Sequence, residues 1–175
     1  AGCSLANYAV KDKRYDLAIQ RFAKVAADPS APPKLAAEAL LETGFMHIEN
    51  YYAPEYVGPD GLLVTDPSDD DRTAMLKRAA SRLADVAAEL ASRSDETGVS
   101  RTAAVYAECG VGEVEVLLGR PYVAERWYRS ALKRCDATVE SPVRTLATLG
   151  LGAALYQEGR YLSSIAEMDR ILKEP

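Results

Sequence analysis

The chain has 175 residues, is 48 % hydrophobic and 27 % charged, and carries a formal net charge of −5. That balance excludes wholesale disorder and argues against binding driven by neutralisation of nucleic-acid phosphates. No apolar run approaches the ~18 residues of a membrane-spanning helix, and three cysteines and one histidine without ligand-like spacing leave little for metal chemistry.

The high alanine content favours helix. In chain order, residues from about Ser4 to Lys13 and from Tyr15 to Ala27 read as a first helix pair. The stretch Asp28-Pro29-Ser30-Ala31-Pro32-Pro33 stops the second of these helices, because proline cannot continue one. Lys34 to Asn50 is again helical. The helical period then fails across Tyr51 to Asp71, a segment that holds Pro54, Gly58, Pro59, Gly61 and Pro67 and reads as a long loop insertion. Ser68 or Asp69 suits an N-cap, and Asp70 and Asp71 suit the positive end of the helix that follows, about Arg72 to Arg93. Ser100 to Leu118, Tyr122 to Arg134, Val143 to Glu158 and Tyr161 to Lys173 complete eight helices in four pairs.

A pattern recurs along these pairs. Gly112, Gly119, Ala124, Tyr128 and Ala131 are spaced as Gly152, Gly159, Ser164, Met168 and Ile171 are. Ala18, Phe22 and Val25 carry the last steps near the N-terminus, and Ala79, Leu83 and Val86 carry them in the middle. A small residue, a bulky one four later and an apolar one three later define one face of a helix. With Ala6, Gly44, Gly112 and Gly152 as first-helix markers, the steps are 38, 68 and 40 residues. The second step contains an insertion of 23 residues between the helices of the second pair. The small markers predict close helix–helix approach.

These residues resemble the tetratricopeptide repeat, a helix-turn-helix unit that stacks into solenoids. The fourth pair matches the pattern at Leu151-Gly152, Gly159-Arg160-Tyr161 and Pro175. The third matches at Gly112, Gly119, Ala124, Tyr128 and Ala131, with Pro121 where the pattern has Tyr. The first pair matches at Tyr15, Ala18 and Phe22, and the second keeps Gly44 and the Ala79-Leu83-Val86 face. The resemblance implies an all-α, right-handed solenoid of four helix-turn-helix pairs, a single domain over 1–175 with a loop insertion at 51–71. Long repeats and the run from Tyr15 to Phe22 look similar to bacterial envelope members of this class, such as outer-membrane assembly and pilus-assembly lipoproteins. The opening Ala1-Gly2-Cys3 resembles the tail of a lipobox, which makes Cys3 a candidate lipidation site. The competing expectation is an arbitrary start within a helix-forming segment and a cytoplasmic protein.

In such repeats the first helices line a concave groove, and the resemblance places Asn7 and Lys11, then Phe45, Ile48 and Glu49, then Glu113, and finally Tyr156 and Gln157 on it. Leu41, Cys109, Val116, Leu117, Leu149 and Ala153 share those positions. The set is apolar and acidic and suits a peptide or protein segment with an apolar face. The insertion adds Tyr51, Tyr52 and Tyr56 among six acids, a composition suited to a contact surface. No nucleophile–base pair can be assembled around the lone His47, which reads as structural, and no cofactor or metal is expected. Cys109 and Cys135 leave open either a disulfide or two free thiols. The expected function is a non-catalytic scaffold or adaptor that binds a protein or peptide. The alternatives are a ligand-binding or transport-accessory protein in which the insertion closes the groove, and a regulatory repeat domain of a longer chain.

Overall fold

The computed structural model describes residues 10–57, 60–93, 98–136, 139 and 141–173. The protein is all-α. Among the described residues seven helices occur: α1 (Tyr15–Ala26), α2 (Pro33–Tyr52), α3 (Asp69–Ser92), α4 (Val99–Leu117), α5 (Pro121–Arg134), α6 (Ser141–Gln157) and α7 (Tyr161–Lys173). Val10 and Lys11 are also helical. The rest of the expected first helix, with its marker Ala6 and with Asn7 and Cys3, lies outside the described residues. The chain forms two compact units, Ala1–Val86 and Ala87–Pro175.

In the first unit α1 packs on α2 around Ala18, Phe22, Ala39 and Met46. The α2–α3 contact is close because Gly44 has no side chain: a Cβ there would sit 2.4 Å from Leu83 Cδ2. Beside it Arg82 Nε donates to Thr43 Oγ1 at 3.0 Å, and that hydroxyl donates to the Leu40 carbonyl at 2.6 Å. Of the two N-cap candidates for α3, Ser68 takes the role. Its Oγ accepts the Asp71 amide at 3.2 Å and donates to Asp71 Oδ2 at 2.6 Å, while its own amide donates to that carboxylate at 3.3 Å. This is a capping box built with Asp, placed where the helix dipole favours a negative charge.

The insertion differs from the expected loop. Tyr51 and Tyr52 are the last turn of α2, and Asp69 to Asp71 are the first turn of α3. Between them two short strands, β1 (Glu55–Val57) and β2 (Leu63–Thr65), pair antiparallel with Glu55 opposite Thr65 and Val57 opposite Leu63. The alternation Tyr56–Val57 and Leu63–Val64 is enough for a two-stranded ribbon, whereas the absence of a helical period had suggested irregular chain. A bare hairpin is marginal; this one is held to the turn before α1. The Val57 amide donates to the Lys13 carbonyl at 2.9 Å, and Lys13 Nζ pairs with the Glu55 carboxylate. Arg72 closes its base by donating to the Tyr51 carbonyl at 2.7 Å.

In the second unit α4 packs on α5, α5 on α6, α6 on α7, and α4 also touches α6. One core joins α4, α5 and α6 through Val105, Cys109, Ala124, Tyr128, Ala131, Val143, Leu151 and Leu155. Tyr128 is its keystone. A Cβ on Gly112 of α4 would lie 2.7 Å from the ring, and one on Gly150 of α6 would lie 2.1 Å from it. The ring therefore occupies a slot between two helices that both give way at glycine. Gly152, two residues on, faces the other way: its Cβ would meet Met168 Cε at 2.4 Å, and its carbonyl accepts Ser164 Oγ at 2.7 Å.

The two turns within pairs are copies of one another. Gly119 (φ +72°) and Gly159 (φ +77°) are left-handed. The amides of Arg120 and Arg160 reach back to the Glu115 and Leu155 carbonyls at 2.8 and 2.9 Å. The glycine amides donate to Val116 and Tyr156 at 3.0 Å. This is a Schellman termination, which satisfies the orphan carbonyls of the first helix. Lys13, with φ +60°, takes the same place before α1, so Lys13-Arg14-Tyr15 is the degenerate form of Gly159-Arg160-Tyr161. Pro121 replaces the aromatic residue without cost, because it sits at the first turn of α5 where its missing amide has no partner to lose.

Candidate partner-binding surfaces

The residues singled out from the sequence fall into three groups. In the first unit Glu49 and Lys11 are exposed, Phe45 is half-buried and Tyr52 is exposed, with its ring edge-on to Tyr51 at a centroid distance of 5.0 Å. Tyr51 and Tyr56 are half-buried, and Leu62 and Leu63 of the hairpin are exposed. Ile48 must be removed from the set. It is only 5 % exposed, because the α2 turn that carries it is covered and its side chain belongs to the interior. In the second unit Glu113, Tyr156 and Gln157 are exposed, and Tyr156 packs edge-on against Tyr161 at 5.2 Å. Cys109, at an equivalent position on α4, is buried and cannot meet a partner. Asn7 lies outside the described residues.

The acidity of the insertion is partly consumed inside the fold. Glu55 is paired with Lys13, Asp71 caps α3, and Asp60 Oδ1 accepts the Leu62 amide at 3.1 Å in the hairpin loop. What remains for a partner is an apolar and aromatic surface from Tyr52, Leu62 and Leu63 with carboxylates around it.

Titratable groups on α2 follow from this packing. Burial raises the Glu42 carboxyl, and the like charges of Glu49 and Glu38 raise it further. His47 is held below its usual value by burial and by Arg78 and Arg82, with Asp16 opposing them, so it is a neutral imidazole at pH 7. Among the described residues no cluster of three or more His, Cys, Asp or Glu is arranged to hold a metal ion. Cys109 and Cys135 are free thiols. Burial, then the neighbouring Cys135 and Glu108, push the Cys109 thiol up to about 12, far from a reactive thiolate.

One feature was missed from the sequence. A cleft of about 370 Å³ in the second unit is lined by Arg93, Arg101, Lys133, Arg134 and Asp136 around Leu90, Ala91 and Ala104. Its cations come from three helix ends remote in sequence, so no local motif could announce them. Most of its charge is already engaged. Arg93 pairs with Glu89 at 2.7 Å, Arg101 pairs with Asp136, and Arg134 Nε holds the buried Glu108 at 2.8 Å, with Ser130 donating to the same oxygen at 3.0 Å. The cleft fastens the ends of these helices together before it offers anything to an anion.

Comparison with protein-family models finds no match, and comparison with curated proteins finds none. No helix among the described residues is long and apolar enough to cross a membrane.

Proposed function

We propose that the chain is a tetratricopeptide-type helical repeat that acts as a non-catalytic binding module for a protein or peptide. The observation that carries this reading is a contact made three times. Gly44, Gly112 and Gly152 each lie under a bulky side chain of the next helix, Leu83, Tyr128 and Met168. With the repeated left-handed turns, this supports one helix-pair design used along the chain. Repeats of this kind present their first helices to partners. On those helices Phe45, Glu49, Glu113, Tyr156 and Gln157 stand at surface or half-buried positions, and the hairpin extends the apolar surface of the first unit. Aromatic residues set among carboxylates favour a partner segment with an apolar face and some positive charge.

The test begins with capture of a partner from the source organism by the intact chain. Calorimetry then compares wild type with Phe45→Ala, Tyr156→Ala and a hairpin replacement. The replacement spans only residues 55–65, because the flanking Tyr and Asp residues belong to α2 and α3. Weakened binding in these variants with helicity retained is the expected result. Native affinity in all three would place the partner elsewhere and end the reading. Membrane attachment, if the precursor has it, would run through Cys3, and incorporation of labelled palmitate that is lost in Cys3→Ser is its test.

A further inference from the structure

The 40-residue repetition in the second unit predicts what each residue of α6 and α7 should meet. Tyr106, Cys109 and Leu132 on α4 and α5 belong to, or pack against, the core that α6 closes. Their counterparts 40 residues on are Leu146, Leu149 and Leu172. These remain open: Cys109 is 3 % exposed, whereas Leu149 is 44 %, Leu146 is 42 % and Leu172 is 83 % exposed. The end of a repeat array that faces water is normally polar. Here three leucines stand where the preceding pair is covered by a helix.

We infer that the outer face of α6 and α7 is a docking site for an amphipathic helix supplied by a partner, seated on this pair as α6 is seated on α4 and α5. The face continues an interface that the protein already makes, and α6 shows what fills it. That helix buries Val143, Ala147, Leu151, Ala154 and Leu155 and yields at Gly150 to let in Tyr128. A partner helix therefore carries a stripe of small and branched aliphatic residues at a 3.6-residue period. One difference sets its chemistry apart. Glu125 on α5 takes Arg160 from the turn after α6 at 2.8 Å, but its counterpart on α7 is the exposed Ile165. The partner meets that position with an apolar residue and not with a cation. This inference rests on the internal repetition and not on the concave-face reading, and its test uses residues outside that face.

The probe is a fluorescent synthetic peptide with the sequence of residues 141–157, titrated into the intact chain and followed by anisotropy. Saturable one-to-one binding is expected. Leu146→Glu and Leu172→Glu should each weaken it by about tenfold or more, as the loss of one buried leucine implies. Both sites are exposed, so the variants should keep the wild-type circular dichroism spectrum, which is measured alongside. Three results overturn the inference. One is no saturable binding. Another is binding indifferent to both substitutions, which would mean that the peptide displaces α6 or adheres elsewhere. The last is a wild-type dimer in sedimentation equilibrium that Leu172→Glu disperses and the peptide does not compete with, which would assign the face to a second copy of the chain.

Discussion

The glycine contacts give a graded prediction. Consider alanine at Gly150, Gly112 and Gly152 in turn. Each substitution gains about 1 kcal/mol of helix propensity, so the sign depends on what the new methyl meets. At Gly150 it would lie 2.1 Å from the Tyr128 ring, 1.3 Å inside the 3.4 Å of ordinary contact. The ring is rigid and 6 % exposed, wedged against Gly112 on its far side, so a helix must move. Overpacking of this kind costs about 1–3 kcal/mol, leaving a net loss of up to ~2 kcal/mol. At Gly112 the shortfall is 0.7 Å from 2.7 Å, and the two terms should nearly cancel. At Gly152 the obstacle is the terminal methyl of Met168, at 2.4 Å, with its sulfur already at 3.2 Å. Methionine can rotate away, and Gly152→Ala should be neutral or stabilising by up to ~1 kcal/mol. Urea unfolding followed by circular dichroism orders the three. For a chain of this length, the Gly150→Ala loss corresponds to a melting temperature lower by roughly 2–8 °C. Tyr128→Leu should cost less in the Gly150→Ala background than in wild type, a positive coupling in a double-mutant cycle. The reasoning fails if Gly150→Ala is the most stable of the three, because the slot would then not exist.

Other outcomes follow from the same coordinates. Gly119→Ala and Gly159→Ala should each cost about 1–2 kcal/mol in unfolding experiments, purely through the left-handed backbone, because nothing lies within 4 Å of the added methyl at either site; asparagine at the same positions should cost less. Glu42→Gln should raise the melting temperature at pH 7. The folded-state pKa of Glu42 is raised above its unfolded value of about 4.5, so its favourable contribution is present below that value and is lost as pH rises through the folded one. The advantage of Gln should therefore vanish near pH 4, and an advantage that persists there would refute the cause. A thiol reagent at pH 8 should modify the partly exposed Cys135 well before the buried Cys109, checked by mass spectrometry of Cys135→Ser against Cys109→Ser.

Helix positions were legible because each helix keeps an apolar period and ends at proline or glycine; the structure places them within a few residues of expectation. The marker glycines were legible for the same reason, since only a small residue permits the approach seen at Gly44, Gly112 and Gly152. Gly150 was not read, because its neighbour is in the preceding pair and the spacing within one pair does not point to it. The Lys13 turn was hidden by a residue that seldom adopts positive φ. The β-hairpin was missed because three-residue strands carry almost no periodic signal. Its anchor, the Lys13–Glu55 pair, joins residues 42 apart. Ile48 was misassigned because the repeat register places a residue on a helix face but does not say how far the neighbouring helix covers it.

The central claim, that first-helix residues and the hairpin touch the partner, is tested most directly by site-specific photo-crosslinking in the source organism. A benzophenone amino acid is placed singly at Tyr52, Leu63, Tyr156 or Gln157, all exposed, and at Arg126 on the exposed side of α5. The account predicts covalent adducts to one partner from the first group and none from Arg126. Adducts from Arg126 alone would contradict it.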